Sequence, residues 1–324
     1  GTRLMKLNEL MDQVRRAAGN TLDMIALKSR LDEMGIHLEN LYQELEMSSS
    51  YVDSHRDISV IGEVVQPHSH SFFELLFCCS CDHVQYLLGS QRYRLQKGDV
   101  ILVPPGVSHC PLFPETMQKP YERIVVWVNA ELLQQFYRKW PEMTTCQEYW
   151  NSAHLLRTGG TGWESSISEA FQRGCSEAEK RQPGWEIVLG SNTTLLITLL
   201  NRFLISGQEL PVSEHDGLLD ELLTYVETHF REKISIRSAA RHILASESTI
   251  THLCKKRLGV SFYRYVTQQR LAAAKQYMRE DVPLAQIAEL AGFCDYTAFY
   301  RAFKQEYGFS PQQYRSLQDS SKMM

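Results

Sequence analysis

The sequence predicts an α+β multidomain chain: a helical extension over residues 1–50, a β-barrel with following helices over 51–210, and an all-α domain with two helix-turn-helix units over 211–324. Three observations predict it. Short strand-like stretches crowd together between Ile58 and Val128, separated by turns, as in a small sandwich or barrel. A pattern of helix, tight turn and helix occurs twice near the C-terminus, with the two copies about 50 residues apart. The charge is also unevenly divided. Residues 231–324 carry 15 Lys/Arg against 8 Asp/Glu, whereas the first 230 carry 19 against 30, beneath an overall charge of -4. A basic terminal region suits a phosphate backbone.

With 324 residues, 43% of them hydrophobic, the chain can bury sizeable cores in about two domains plus an extension. Residues 4–47 place Leu4, Leu7, Met11, Val14 and Ala18, then Leu31, Met34, Leu38, Leu41 and Leu45, at helical spacing. The second series resembles a short coiled-coil seam, open either to packing on this chain or to self-association. Eight cysteines without a regular framework, and no secretory signal, imply a reducing compartment and a cytoplasmic protein. The most apolar run, Ile187–Ile205, contains Ser191, Asn192, Thr193, Thr194, Thr198, Asn201 and Arg202, too polar a set for a membrane span.

The expected strands are Ser59–Val65, Phe72–Cys79, Val84–Leu88, Gln91–Leu95, Asp99–Val103 and Ile124–Val128. Even spacing along one strand would point His68, His70, Phe72, Glu74, Leu76 and Cys78 inward, and a neighbouring strand end would bring His109 to the same cavity. Three imidazoles and a carboxylate suit zinc, iron, manganese or nickel. They equally suit hydrogen bonds to a polar effector or a structural role. Cys78, Cys79 and Cys81 invite a redox or soft-metal reading, but alternation turns Cys78 away from the other two, and packing is the expected role.

Gly62-x5-His68-x-His70-x3-Glu74 and Gly98-x5-Pro104-x-Gly106-x2-His109 match the two cupin motifs, departing at Cys81, where glycine is usual, and at Phe113, where asparagine is usual. The region therefore resembles a cupin. In metal-dependent cupins the matching residues are the ligands, and a divalent transition metal is the cofactor the resemblance allows. Cupins include dioxygenases and isomerases, so a metal-dependent enzyme fused to a DNA-binding module is one alternative.

Ala130–Trp140, Trp163–Arg181 and Trp185–Ser206 read as helices, the last apolar on more than one side. Ser206–Gly217 is polar and contains a proline, as an interdomain linker would. Leu218–Arg231 opens the terminal domain. In the first repeat, Ile236, Ala239, Ala240 and Ile243 mark one helix, and Ser246 caps a second carrying Ile250, Leu253 and Leu258. Phe262–Met278 reads as a long connecting helix. In the second repeat, Leu284, Ile287, Ala288 and Ala291 precede Gly292, and Asp295 caps a helix that buries Phe299 and Phe303.

Ile287–Phe293, Phe299–Lys304, Gly308–Arg315 and Cys254–Tyr265 closely resemble the DNA-binding domain of the AraC/XylS family of bacterial transcription regulators, over roughly 100 residues. The resemblance implies an effector-controlled regulator that binds double-stranded DNA, a homodimer formed through the helices after the barrel, and RNA polymerase as a candidate partner. Base readers belong on the exposed face of each recognition helix: Ser248, Thr251 and His252 in the first, and Tyr296, Thr297, Tyr300 and Arg301 in the second. Arg301 is the best single reader because its guanidinium can bond guanine bidentately. Lys255, Lys256, Arg257 and Lys304 suit phosphates or solvent. The first unit departs from the family pattern at Leu244, in place of the turn glycine, and at Ala239, His252 and Cys254.

The function this implies is sequence-specific transcription regulation under a small-molecule effector held by His68, His70, Glu74 and His109, with no catalytic residues and no membrane partner. A metal- or redox-responsive regulator, using the same His/Glu cluster or the cysteines, is the alternative within that class.

Overall fold

The computed structural model describes residues 52–60, 64–215, 217–307 and 310–315. The N-terminal helices expected over 4–47, and Gly62 and Gly308 of the motifs above, lie outside the described residues. The described chain forms two compact units, one running to Gln269 and the other beginning at Arg270. The expected boundary at 210/211 falls inside the larger unit.

Among the described residues, eight strands make two sheets. The five-stranded sheet has the order β1-β7-β2-β5-β8, formed by β1 (Val52–Ser59), β7 (Tyr121–Val128), β2 (Phe73–Ser80), β5 (Asp99–Val103) and β8 (His154–Arg157). The three-stranded sheet has the order β4-β3-β6, formed by β4 (Gln91–Arg94), β3 (Gln85–Leu88) and β6 (His109–Leu112). All pairings are antiparallel.

Side-chain alternation divides the large sheet into a face packed on helices and an opposite face that mixes apolar and polar side chains. Phe73, Leu75 and Phe77 of β2, with Ile124, Val126 and Val128 of β7, pack against three helices: α1 (Ala130–Lys139), α2 (Glu164–Lys180) and α3 (Trp185–Ile205). Leu133, Phe136, Phe171, Leu196, Ile197, Leu200 and Phe203 supply the helical side of that core. Fully burying each such side chain is worth about 1.5–3 kcal/mol. The opposite face carries Glu74 beside Trp127, its cross-strand partner.

Three features differ from expectation. β1 occupies Val52–Ser59, not Ser59–Val65, because backbone pairing with β7 runs from Val52↔Val128 to Ser59↔Tyr121. Its alternate residues Asp53, His55, Asp57 and Ser59 are polar, so no hydrophobic pattern marks the strand. β6 and β8 and the 3-10 helix Pro141–Asn151 are too short and irregular to show a period, and were not expected. His68 and His70 precede β2 rather than sharing its alternation. His68 reaches the small sheet through an isolated bridge to His109.

α3 is the one described helix long and apolar enough to cross a membrane, and half of its apolar window is buried within the fold. Leu189, Leu196, Ile197, Leu200 and Phe203 face the core, while Ile187, Val188, Leu195 and Ile205 are 75%, 40%, 43% and 58% exposed.

Beyond the connector come α4 (Leu218–His229), α5 (Ile236–His242), α6 (Glu247–Leu253) and a π-helical turn, Cys254–Leu258. α7 (Phe262–Arg279) follows, then α8 (Leu284–Leu290) and α9 (Tyr296–Tyr307). In the smaller unit Leu271, Ala274 and Met278 pack with Ile287, Ala288, Ala291, Phe299 and Phe303. Tyr265, Val266, Leu271, Ala274 and Met278 of the connecting helix are buried, and both recognition helices are capped as expected. Ser246 Oγ accepts from the Thr249 amide at 3.0 Å, and Asp295 Oδ1 from the Ala298 amide at 2.7 Å.

Candidate functional site

His70, Glu74 and His109 are buried together at 3%, 7% and 1% exposure, with His68 beside them. Glu74 is fixed from both sides. Its Oε1 accepts from Trp127 Nε1 at 3.1 Å, and its Oε2 lies 2.9 Å from His70 Nε2 and 2.6 Å from His109 Nε2. The His68 and His109 rings are 4.4 Å apart, and those of His70 and His109 are 4.8 Å apart. The four residues expected to converge do so. They come from β2, from β6 and from the segment before β2, rather than from one strand and a neighbour. Trp127 is the partner that sequence reading missed. Its signal is the Arg123, Val125, Trp127 alternation, which becomes legible once β7 is paired with β2.

The other ring nitrogens share one pattern. His68 Nδ1 lies 3.2 Å from the Gln66 carbonyl, His70 Nδ1 lies 3.0 Å from that of Phe72, and His109 Nδ1 lies 2.9 Å from that of Val107. A carbonyl oxygen only accepts, so each Nδ1 carries the hydrogen, and a neutral ring then presents its Nε2 lone pair. Burial, reinforced by His109, pushes His68 down to about 3 and keeps it neutral. Burial acts to raise the Glu74 carboxyl, but the charges and hydrogen bonds of His109 and His70 outweigh it and hold the group well below the usual range. An ionised carboxylate therefore faces inward nitrogens at hydrogen-bond distance. Two lone pairs cannot approach so closely unless a proton or a cation lies between them. The ligand atoms of His68, Glu74 and His109 all lie within 4.8 Å of one another, a spacing that could hold a metal ion.

Cys78 and Cys81 do not face apart. A register shift between Cys78 and Ser80 breaks the alternation, and Cys81 lies close enough to Cys78 to push that thiol above its ordinary range. Among the described residues all eight cysteines are free thiols.

The expected base readers Ser248, Thr251 and His252 are exposed on α6, and Lys255 and Lys256 are exposed on the turn after it. Tyr296, Thr297, Tyr300, Arg301 and Lys304 are exposed on α9 while Phe299 and Phe303 are fully buried on its other side. Arg257 departs from expectation. It is half-buried and donates to Gln85 Oε1 of β3 at 3.4 Å, so it faces the small sheet instead of phosphate or bulk solvent.

Sequence reading also missed a set of charged residues on β4. Arg92 donates to Asp220 of α4 from Nε at 3.1 Å and from Nη2 at 2.9 Å, and to Glu214 from Nη1 at 2.7 Å. Asp220 interrupts the apolar L-L-D-E-L-L run that opens α4, and that interruption was the available signal.

A family model described as an AraC-like ligand binding domain matches residues 58–158, and one described as a helix-turn-helix domain matches residues 239–316. The probable transcriptional regulator LumQ of Photobacterium leiognathi is 34% identical over 126 residues, 39% of this chain and 49% of its own length. The HTH-type transcriptional activator RhaS of Escherichia fergusonii is 31% identical over 128 residues, 39% of this chain and 45% of its own. The arabinose operon regulatory protein of Escherichia coli is 26% identical over 245 residues, 70% of this chain and 74% of its own. The match thus spans about half the length of the first two relatives. One family model encloses the His/Glu cluster and the other both exposed recognition helices, and on these grounds the chain belongs to the AraC family, with an AraC-like ligand binding domain ahead of a helix-turn-helix domain.

Proposed function

We propose that the chain is a sequence-specific DNA-binding transcription regulator whose barrel site senses a small polar molecule. The observation that carries this is the division of α9: Phe299 and Phe303 are fully buried, leaving Tyr296, Thr297, Tyr300 and Arg301 as a polar and aromatic face at the helix start. Side chains so placed reach base edges when the helix lies in a major groove. Ser248, Thr251 and His252 form the equivalent face on α6, and Lys255, Lys256 and Lys304 supply phosphate contacts. A duplex selected from a random pool should bind the Arg301→Ala variant more weakly by about 1–3 kcal/mol, with little change on unselected DNA. Equal loss on both would remove Arg301 as a base reader.

In this reading His68, His70, Glu74 and His109 are the sensing groups. Buried polar groups are costly unless they are paired, so a ligand that completes their hydrogen bonds gains affinity from the site. Sensing needs binding without turnover, and catalysis has no part in the proposal. The working form is a homodimer in the cytoplasm, with RNA polymerase as a further partner at the promoter.

The shared Nδ1 pattern favours a second reading of the same site, a divalent transition metal held by the Nε2 atoms and Glu74. Backbone carbonyls that orient each imidazole through Nδ1 are the usual outer shell of a metal ligand. Two buried imidazolium rings against one carboxylate would instead leave an uncompensated charge. His68, Glu74 and His109 would hold such an ion, which would supply a Lewis-acidic contact for an oxygen or nitrogen of the sensed molecule. Elemental analysis after equilibration with zinc or manganese should find one ion per chain, lost in the His109→Ala variant. If the variant retained the same stoichiometry, this reading would fail.

A further inference from the structure

The exposed face of α9 is not uniformly polar. Tyr296 and Tyr300 stand about one helical turn apart, 40% and 36% exposed, with ring centres 6.4 Å from each other. Aromatic packing braces the helix beneath them. The Tyr296 ring meets the fully buried Phe299 edge-on at 5.9 Å, and Phe299 meets the fully buried Phe303 in the same way at 5.7 Å. Arg301 and Lys304 are exposed on the same helix. α6 differs, because its exposed face carries Ser248, Thr251 and His252.

We infer that Tyr296 and Tyr300 read thymine through its 5-methyl group, so that the bases met by α9 combine thymine with the guanine taken by Arg301. The inference rests on the proposed DNA binding. Complementarity carries it. In the major groove the edges of G, A and C offer hydrogen-bond donors and acceptors, whereas T alone adds a methyl group. A half-exposed ring brought into the groove sheds water from its apolar surface, and only thymine returns an apolar partner. Arg301 and Lys304 on the same helix supply the positive charge that draws this surface to the phosphates.

Rigidity favours the same assignment. A tyrosine gives a large contact area for little lost freedom on docking, and Tyr296 is already braced on Phe299. The 6.4 Å between the rings exceeds the rise of one base step, about 3.4 Å, so the two rings meet different bases. A phenol hydroxyl can also bond a phosphate, a contact that carries no sequence information. Ring and hydroxyl therefore make opposite predictions about which chemical change to the DNA is felt.

The test uses the full chain and a duplex that it selects from a random pool, with each thymine replaced in turn by deoxyuridine, which lacks only the 5-methyl group. At two positions the replacement should weaken binding by the parent about fourfold, the worth of burying one methyl-sized group. Tyr296→Ala and Tyr300→Ala should each abolish the difference at one of those positions, because the ring that met the methyl is gone. Tyr296→Phe and Tyr300→Phe should keep it, since each retains the ring. Any affinity they lose should be equal on the thymine and deoxyuridine forms. If only one alanine variant abolishes a difference, the assignment stands for that residue and falls for the other. A parent indifferent to every replacement, or alanine variants that both keep its full pattern, overturns the inference. Where an alanine variant unfolds, the phenylalanine variant decides: loss of the difference there assigns the contact to the hydroxyl and overturns the methyl reading. Should the parent select no duplex, the DNA-binding reading fails and takes this inference with it, whereas a selected duplex whose methyl groups do not matter overturns this inference alone.

Discussion

Leu244 is the residue whose conformation and side chain disagree most. It sits in the turn between α5 and α6 at φ 56°, in the left-handed region, and it is 93% exposed. The equivalent turn of the second unit carries Gly292 at φ 92°, where the absence of a Cβ removes the strain. A left-handed residue with a Cβ costs roughly 1–2 kcal/mol, and an exposed leucine recovers little through packing. Leu244→Gly should therefore stabilise the chain by about 0.5–1 kcal/mol, after allowing for the greater freedom of glycine in the unfolded state. Urea unfolding followed by circular dichroism reads this directly, and a midpoint shifted to lower urea would show that Leu244 makes contacts that repay its strain. Both readings were half-legible in the sequence: Leu244 stands where a glycine is usual, but only the backbone angle shows that the turn keeps its shape.

At the scale of elements, α3 is held by buried asparagines within a largely apolar interface, Asn192 donating to the Ala170 carbonyl of α2 at 2.7 Å and Asn201 bonding its other neighbours. Asn201 is fully buried, and its Oδ1 accepts from Trp150 Nε1 at 2.8 Å and lies 3.5 Å from the Tyr137 hydroxyl. It thereby joins α3 to the 3-10 segment and to α1. Asn201→Leu would strand a buried indole N–H and remove its acceptor, at a cost of about 1–3 kcal/mol. Thermal unfolding should show the loss, and the Trp150→Phe change should recover part of it by removing the orphaned donor. The opposite side of α3 gives a different expectation. Ile187, Val188, Leu195 and Ile205 stay exposed on a helix whose remaining apolar residues are covered, and a second copy of the chain would bury them. Light scattering of the full chain should report a dimer that Leu195→Glu weakens at least tenfold, since a carboxylate would be desolvated in the joint. A parent that stays monomeric at high micromolar concentration removes α3 as a dimer surface.

At the scale of the molecule, the first helix-turn-helix packs within the same compact unit as the barrel, and the second lies in the smaller unit. The connector Ser206–Gly217 reads in sequence as a polar linker. In the fold, Ser213 and Glu214 are bonded to β4. A polar segment can be a loose tether or an extra strand with equal composition, because backbone hydrogen bonds do not depend on side-chain polarity. Only the ladder distinguishes the two.

Periodicity and spacing alone specified most of the recognition elements. The caps at Ser246 and Asp295, the buried Phe299 and Phe303, and the exposed Tyr296, Thr297, Tyr300 and Arg301 all follow from the 3.6-residue period, which is a local property of the chain. The His68, His70, Glu74 and His109 set was legible by the same route, through motif spacing. Tertiary structure decided whatever depended on partners distant in sequence. The β1 register needed β7, because its inward residues are polar and carry no hydrophobic signal. The Cys78–Cys81 contact needed a register shift that alternation could not anticipate. The hydrogen on each Nδ1 needed the carbonyls of Gln66, Phe72 and Val107. The pairing of Arg92 with Asp220, 128 residues away, left only two isolated charges in the sequence. Local patterns report which face a residue occupies, while the partner on that face is chosen by chain reversals whose geometry no single segment encodes.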